Sequence, residues 1–563
     1  MSSLSGARWE IRPRASKALF DEMADVPPLA LQVLHNRGYD SASKIREFLD
    51  GPAPPHDPYL LDGMDAAVAR LLMAAQKHER VCVYADYDVD GVSSAALLLE
   101  ALEMLGCQAF AYIPDRLSEG YGLNAEAIDA IHADTAHLIV TADCGTNNHA
   151  EIARAVSHGM DVIVTDHHIG DGAASGALAV LNPNRPSGGY PFGGLAGVGV
   201  AYKLVQALAE ELPERLPCPE ELLDLVALGT VADIVPIVDE NRGFVSEGLR
   251  ALRATHRPGL RALGEIARRP LKQADANAIS FGYAPRLNAA GRLAHARLAL
   301  ELLRATHPVR AEELARQLDD LNTERRQLTA DVVDDVQRNL PPERSFVFAV
   351  SADYPAGIVG LAASKLADQT GTPAFVATWV DGRIRGSARA PAGVHLSDLL
   401  RGHAELLESW GGHAAAAGFT LHPDRLEELR TALERDLARV EVRAALAPSI
   451  QADCRLYPRS ITWDTYQLLE SLGPYGESHQ QPRFVVENVS VGQTRVVGND
   501  HLAMRFTELE PEIDSIWFGA AAFAEQLRPG RRVDAAFRLN LRSFRGSSHV
   551  QMLIDDIRLP SSN

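Results

Sequence analysis

Between residues 80 and 166 the chain alternates short apolar runs with longer stretches of helical periodicity. VCVYA (81–85), HLIVTA (137–142) and DVIVT (161–165) are too short for helices and almost unbroken by polar residues, which predicts strands buried on both faces. The stretches after the first two, VSSAALLLEALEML and NNHAEIARAV, predict helices. This βαβαβ rhythm predicts a parallel sheet covered by helices, and it runs to about residue 305.

Further along, Leu314, Leu318, Leu321, Leu328, Val332 and Val336 recur at helical spacing, so 309–340 reads as one long helix stopped by Pro341-Pro342. At 1.5 Å per residue it would span roughly 45 Å, enough to connect two lobes across a groove. A second α/β segment follows, with strands SFVFAVS and PAFVATW separated by a helix. Beyond it, FVVENVSVGQTRVV, HLAMRFTEL, DSIWFG, RRVDAAFRLNLRSF and HVQMLIDDIRL are strand-like pieces at short spacing that predict a small β-barrel. The first residues read as a small helical cap ending in the Pro-rich GPAPPHDP. The expected domains are therefore 1–55, 56–308, 309–340 as connector, 341–447 and 448–563.

Composition narrows the class. With 55 Lys+Arg against 74 Asp+Glu the formal net charge is −19, and 46% of residues are hydrophobic. A wholly basic nucleic-acid coat and a disordered polyanion are both excluded. The summed sign argues mildly against DNA, but its distribution does not. Residues 208–243 hold nine acids and two bases, whereas 528–545 holds six arginines and one aspartate on the predicted barrel. Phe537 and Phe544 are the aromatic residues there available for base stacking. Five scattered cysteines without a Cys-x-x-Cys pair fit a reduced compartment and no cysteine-rich zinc site. A polar N-terminus and the lack of a long apolar run lead us to expect a cytoplasmic protein with no membrane partner.

The densest chemistry is Tyr84-Ala-Asp86-Tyr-Asp88-Val-Asp90-Gly91, directly after an apolar run. Three alternating aspartates on one side repel unless a cation sits among them. Asp143 follows HLIVTA, Asp166-His167-His168 follows DVIVT, and Asp233 lies in LVALGTVADIVP. In open parallel sheets ligands bind at the C-terminal strand ends, where this placement puts these groups. Carboxylates with one or two imidazoles suit Mn²⁺ or Mg²⁺, with ligands enough for two ions. A solvated turn would explain the triplet alone but not the further strand ends. An EF-hand fails because its twelfth position, counted from Asp86, is Leu97.

The motifs DYDVDG, TADCG, TDHH and ADIVP resemble the signatures of the DHH phosphoesterase superfamily. IPDRLSEGYGLN, LAGVGVAYKL, APRLNAAGRL, RGSARA and GGHAAAAGF resemble its RecJ-like 5′→3′ single-strand-specific DNA exonucleases, over nearly the whole chain. The fold this implies is a DHH parallel-sheet domain, a long helix, a DHHA1 α/β domain and an OB-like barrel.

The resemblance also implies roles. Asp88 would ligate the first ion and Asp90 the second; Asp143 would bridge both, and His167 and Asp233 would complete the second site. Asp86 would support or directly ligate the first ion, Asp166 would orient His167, and His168 would face the substrate phosphate. Arg116, Ser387 and Arg389 match positions holding a 5′-terminal phosphate, Arg286, Asn288 and Arg292 would line the strand path unless they form a structural ion pair, and His413 would contact phosphate. The implied activity is two-metal hydrolysis releasing 5′-mononucleotides in recombination and repair, on single-stranded DNA with a 5′ end, beside a single-strand-binding protein and a RecQ-type helicase. LAGVGVAYKL lacks a nucleotide cradle's third glycine and reads as helix packing.

The chain departs from the family pattern at Tyr354-Pro-Ala-Gly357, at Tyr475–Pro482 and at Ala503. A short-oligonucleotide phosphatase is disfavoured by length, and a non-catalytic replication scaffold by the intact ligand set.

Overall fold

The computed structural model describes residues 2–170, 176–186, 188–340, 345–438, 449–498, 500–510, 513–544 and 547–559. They divide into two compact units, Pro52–Leu446 and Met1–Gly51 with Ala447–Asn563.

In the larger unit a parallel five-stranded sheet runs in the order Gln108–Tyr112, Arg80–Ala85, Leu138–Ala142, Asp161–Thr165, Ala179–Leu181. Its central strands need no alternation of apolar and polar residues, because both faces are covered. Val81, Val83, Leu138 and Val140 join the core that holds the helix Val89–Leu105. Cys82, Tyr84, Ile139 and Val162 join a second core with Ile128 and Ile152, from the helices Ala125–Ala133 and His149–Ser157. The chain leaves Arg80–Ala85 toward one edge and returns on its other side at Leu138–Ala142. That reversal is a topological switch point, and the ends of these two strands flank it.

The connector helix spans Pro308–Arg338, within two residues of the expected range, while its expected Pro341-Pro342 stop lies outside the described residues. Leu314 and Leu318 pack into the first lobe, and Val332, Val333 and Val336 into the second, so one helix serves two cores. The second lobe is a mixed sheet ordered Ser409–Gly412, Ala416–Leu421, Arg383–Arg389, Ala374–Val380, Val347–Val350. The helix Val359–Thr370 covers one face and Leu426–Leu437 the other. The expected limits of this lobe at 341 and 447 lie outside the described residues.

The smaller unit contains a closed five-stranded barrel. Phe484–Val497 pairs with His501–Phe506, then Asp514–Trp517, Ser547–Leu559 and Arg532–Phe544, which returns to Phe484–Val497. The expected N-terminal cap does have helices, at Lys17–Glu22, Pro28–Asn36 and Ala42–Leu49. It is not a separate domain: Ser2–Ser3 pairs with Ser547–Leu559, Arg8–Ile11 pairs with Ser449–Ala452, and Leu31, Leu34, Ile45 and Phe48 share the barrel's core. Trp9 Nε1 donates to Asp556, and Arg37 pairs with Asp453.

Two expectations about the barrel are corrected. Phe537 is 0% exposed and packs 6.0 Å from Phe484, so it is core rather than a stacking surface; the Phe544 side chain lies outside the described residues. The arginine stripe is partly neutralised by neighbouring acids, with Arg538 on Asp555 (2.8 Å) and Arg542 on Asp514 (3.3 Å). The exposed aromatic residues of this unit include Tyr457, with Arg459 over its ring, and Trp463 and Phe518. Among the described residues no helix is long and apolar enough to cross a membrane.

Candidate metal centre

The strand Arg80–Ala85 delivers the chain to Asp86, and a tight turn starts the helix Val89–Leu105. Asp88 caps that helix, its Oδ1 accepting from the N–H of Asp90 (2.9 Å) and Gly91 (3.1 Å). A Cβ on Gly91 would lie 2.5 Å from the Asp86 carbonyl oxygen, so only glycine permits the turn. Asp90 accepts from Gly197 (2.7 Å) and Val198 (2.9 Å), the first N–H groups of the helix Gly197–Glu211. A Cβ on Gly197 would lie 2.6 Å from Asp143 Cβ. The LAGVGVAYKL glycine is thus a packing glycine, as expected, and it packs on the site itself.

Asp143 follows Leu138–Ala142 with φ +64°, a left-handed conformation that aspartate tolerates better than most residues. Asp166 Oδ1 accepts from the backbone N–H of His167 (2.7 Å) and His168 (3.2 Å), and Oδ2 from Thr146 N (2.9 Å). Two residues not singled out in the sequence complete the frame. Asn184 donates to the His167 carbonyl (2.6 Å) and Asn182 to that of His168 (2.8 Å). Their signal was available, since LNPN overlaps the end of the buried strand Ala179–Leu181.

Asp233 follows the helix Leu223–Ala232 rather than the strand expected there, and with it the structure brings together six expected ligands in two groups, Asp86, Asp88 and Asp143, and Asp90, His167 and Asp233. His167 Nε2 lies 3.2 Å from Asp143 Oδ1 and 3.5 Å from Asp233 Oδ2, so Asp143 stands between the groups. Asp86 Oδ1, Asp143 Oδ1 and His167 Nε2 are buried without a hydrogen-bond partner. Burial and then mutual repulsion push Asp86 and Asp143 well above the usual carboxylate range, Asp90 up to about 7 and Asp233 up to about 9. Burial, reinforced by His168, takes His167 down to about 4, leaving its imidazole neutral. Orphaned oxygens, crowded carboxylates and one neutral imidazole fit a hard divalent cation.

A carboxyl whose pKa rises on folding contributes stability that is full below the ordinary carboxylate range and is lost as pH rises, here through about 7 for Asp90 and about 9 for Asp233. Cation binding offsets that loss. We expect Mn²⁺ to raise the melting temperature of the chelator-treated protein by several degrees more near pH 8.5 than near pH 6. Differential scanning fluorimetry measures this, and an equal shift at both values contradicts it.

Three expected residues have other partners. The Asp166 side chain holds the His168 ring, Oδ1 to Nδ1 at 2.8 Å, and reaches only the backbone of His167. Arg286 forms an ion pair with Asp319 (2.8 Å) on the connector helix and donates to Gly282 O (2.6 Å), the structural alternative rather than a free strand contact. Asn288 Oδ1 accepts from Val89 N (3.2 Å), bracing the start of the helix that carries Asp90.

Of the other expected contacts, Arg116, Arg292, Ser387 and Arg389 lie near one another. Arg116 lies 4.6 Å over the Tyr87 ring. Ser387 and Arg389 lie on the strand Arg383–Arg389, where a Cβ on Gly360 would be 3.3 Å from Ser387 Oγ and 3.5 Å from Arg389 Nη2. That glycine is in the first turn of the helix Val359–Thr370. Arg292 is held down to about 9 by burial and by Arg116, Arg325 and Arg389; Arg389 is likewise lowered by burial and Arg116. Among the described residues, none of these four arginines has a carboxylate partner within ion-pair distance. Arg325 was not legible, because its place mid-way along the connector helix looks like any solvated position. His413 is exposed beyond Ser409–Gly412, beside the Arg389↔Ala416 register pair. The unusual turn at 354–357 is anchored by Tyr354 Oη donating to Asp335 (2.7 Å), and its Gly357 approaches the Arg292 carbonyl too closely for any Cβ.

The model of the DHH family, N-terminal domain, matches residues 80–230, the DHHA1 domain 343–439 and the RecJ OB domain 452–556. The single-stranded-DNA-specific exonuclease RecJ of Bacillus subtilis is 35% identical, covering 98% of this chain and 71% of that protein. The chain belongs to the RecJ family. The Escherichia coli RecJ is 33% identical over 97% of this chain and 99% of its own. RecJ from Thermus thermophilus in complex with Mn²⁺ shares the architecture at a TM-score of 0.85 and 29% identity, covering 99% of this chain and 80% of that one. A second RecJ structure, bound to manganese, is 34% identical with a TM-score of 0.60 over 69% of this chain and 98% of its own. The RecJ architecture therefore accounts for both lobes, the connector and the barrel.

Proposed function

We propose that the chain is a 5′→3′ exonuclease specific for single-stranded DNA, releasing 5′-mononucleotides in DNA recombination and repair. The observation that carries this reading is the juxtaposition of an orphaned carboxylate–imidazole cluster with arginines that lack carboxylate partners among the described residues. Asp86 and Asp88 would hold one divalent cation, Asp90, His167 and Asp233 a second, with Asp143 shared. When bound, Mn²⁺ or Mg²⁺ would supply Lewis-acid activation of water and charge neutralisation at the scissile phosphate.

The chain's own groups do the rest. Arg116, Arg292, Arg325 and Arg389 grip a terminal phosphate through guanidinium forks, and Ser387 adds a hydroxyl donor. Arg116 lies over the ring of Tyr87, which stands between Asp86 and Asp88 in the chain, so this pocket is close to the metal cluster. A strand held by its 5′-phosphate therefore presents the next phosphodiester to the cluster, and the product is a mononucleotide. His168, its Nδ1 taken by Asp166, turns Nε2 to that phosphodiester. Against the effect of burial, the Asp166 carboxylate raises the His168 pKa, which favours Nε2–H as a donor to the departing 3′-oxygen. In the barrel unit, Tyr457 with Arg459 offers the stacking surface that Phe537 does not. The cellular setting that fits is cytoplasmic, with a single-strand-binding protein and a RecQ-type helicase supplying single strands.

The test is digestion of 5′-labelled and 3′-labelled single strands with Mn²⁺. The 5′ label is expected to appear at once as mononucleotide while the 3′ label stays in shortening strands. Progressive loss from the 3′ end, or equal cutting of duplex, rejects the reading.

A further inference from the structure

The loop 113–124 carries Arg116 and, five residues on, Tyr121, and it is braced along its whole length. Asp115 Oδ1 accepts from the N–H of Leu117 (3.1 Å) and Ser118 (2.9 Å). Glu119 accepts from Asp115 N (2.6 Å), Tyr112 Oη (2.7 Å) and Asn124 Nδ2 (3.2 Å). The buried Tyr84 donates to the Gly122 carbonyl (2.9 Å), and Arg385 of the second lobe donates to that of Leu117 (3.2 Å). Gly120 and Gly122, both at φ +84°, turn the backbone so that Tyr121 points back to the site.

There the Tyr121 hydroxyl meets two groups. It donates to the Asp143 carbonyl (3.3 Å), which leaves its lone pairs toward His168 Nδ1, 3.0 Å away. The two rings stand edge to face at 5.4 Å. With Asp166 on the same nitrogen, Nδ1 is flanked by two acceptors and keeps its proton. Nε2, with no partner among the described residues, is the atom left for substrate.

We infer that Tyr121 is a positioning residue for His168, and that loop 113–124 couples recognition of the 5′-terminal phosphate at Arg116 to that histidine. The inference rests on the proposed exonuclease function and adds a dependence of turnover on the strand's end. A phosphate gripped by Arg116 steadies one side of the braced loop, and the other side holds the histidine ring.

The test is Tyr121→Phe, alone and combined with His168→Ala, on single strands bearing a 5′-phosphate or a 5′-hydroxyl. For phosphorylated strands kcat is expected to fall about tenfold, the factor carried by one hydrogen bond worth about 1.4 kcal/mol, with KM unchanged. Calorimetric Mn²⁺ affinity and melting temperature are expected to match the wild type. The wild type is expected to turn over phosphorylated strands faster than hydroxyl-ended ones. Tyr121→Phe erases that kcat advantage while keeping the KM advantage, and it adds nothing on the His168→Ala background. Additive effects, a persisting kcat advantage, or a shift in KM or Mn²⁺ affinity instead of kcat overturn the inference while the functional reading stands. A wild type that releases no mononucleotides overturns both.

Discussion

Asp143→Asn is expected to lower mononucleotide release by at least about a thousandfold and to abolish the calorimetric signal of one bound Mn²⁺. Asp143 Oδ1 is buried, orphaned and beside His167, between the two ligand groups, so on the proposed reading its charge would serve both. Removing a shared anionic ligand costs several kcal/mol of charge stabilisation at the reacting phosphate, and each ~1.4 kcal/mol is a factor of ten in rate. Asparagine is the informative choice because it keeps the side chain's size and, like aspartate, accepts the left-handed backbone found at φ +64°. The metal-free variant is expected to melt no lower than the wild type, since one repelling carboxylate has left a crowded cluster. A variant that retained a tenth of the activity would remove Asp143 from the metal centre.

Arg389→Ala is expected to weaken use of 5′-phosphorylated strands by about 10–100-fold, mostly in KM, and to leave 5′-hydroxyl strands nearly unaffected. The range follows from about 1.5–3 kcal/mol for hydrogen bonds to a charged group. Arg389 has no carboxylate partner within ion-pair distance among the described residues. Burial and then Arg116 hold its pKa down, so the fold gains nothing from an ion pair there. Loss of the guanidinium should therefore not destabilise the fold. Steady-state kinetics on the two strand types separate this from a general loss of binding, which would weaken both alike.

The strand ends were legible because buried parallel strands need unbroken apolar runs, and a cluster of acids after such a run has no structural use. Asp86, Asp88, Asp90, Asp143 and His167 announced themselves in that way; Asp233, expected at a further strand end, instead caps the helix Leu223–Ala232, because its apolar run is a buried helix, and the structure gathers all six. Partners distant in sequence were not legible. Nothing near Arg286 hints that Asp319 will neutralise it, and nothing near Ser2 or Arg8 hints that they pair with strands from the far end of the chain. Phe537 is a different case. Val533, Ala535, Phe537 and Leu539 alternate along their strand and are all buried, so strand period alone assigned that ring to the core.

The contact of Gly357 with the Arg292 carbonyl is closer than any residue with a side chain permits, and it joins the two lobes beside the arginine pocket. A joint this close makes a caliper. On the proposed reading its jaws would be the terminal-phosphate pocket and the carboxylate cluster, and they would close on sugar and phosphate whatever the base. Such a tool gauges length from a free end, so a closed circle of single-stranded DNA gives it nothing to measure.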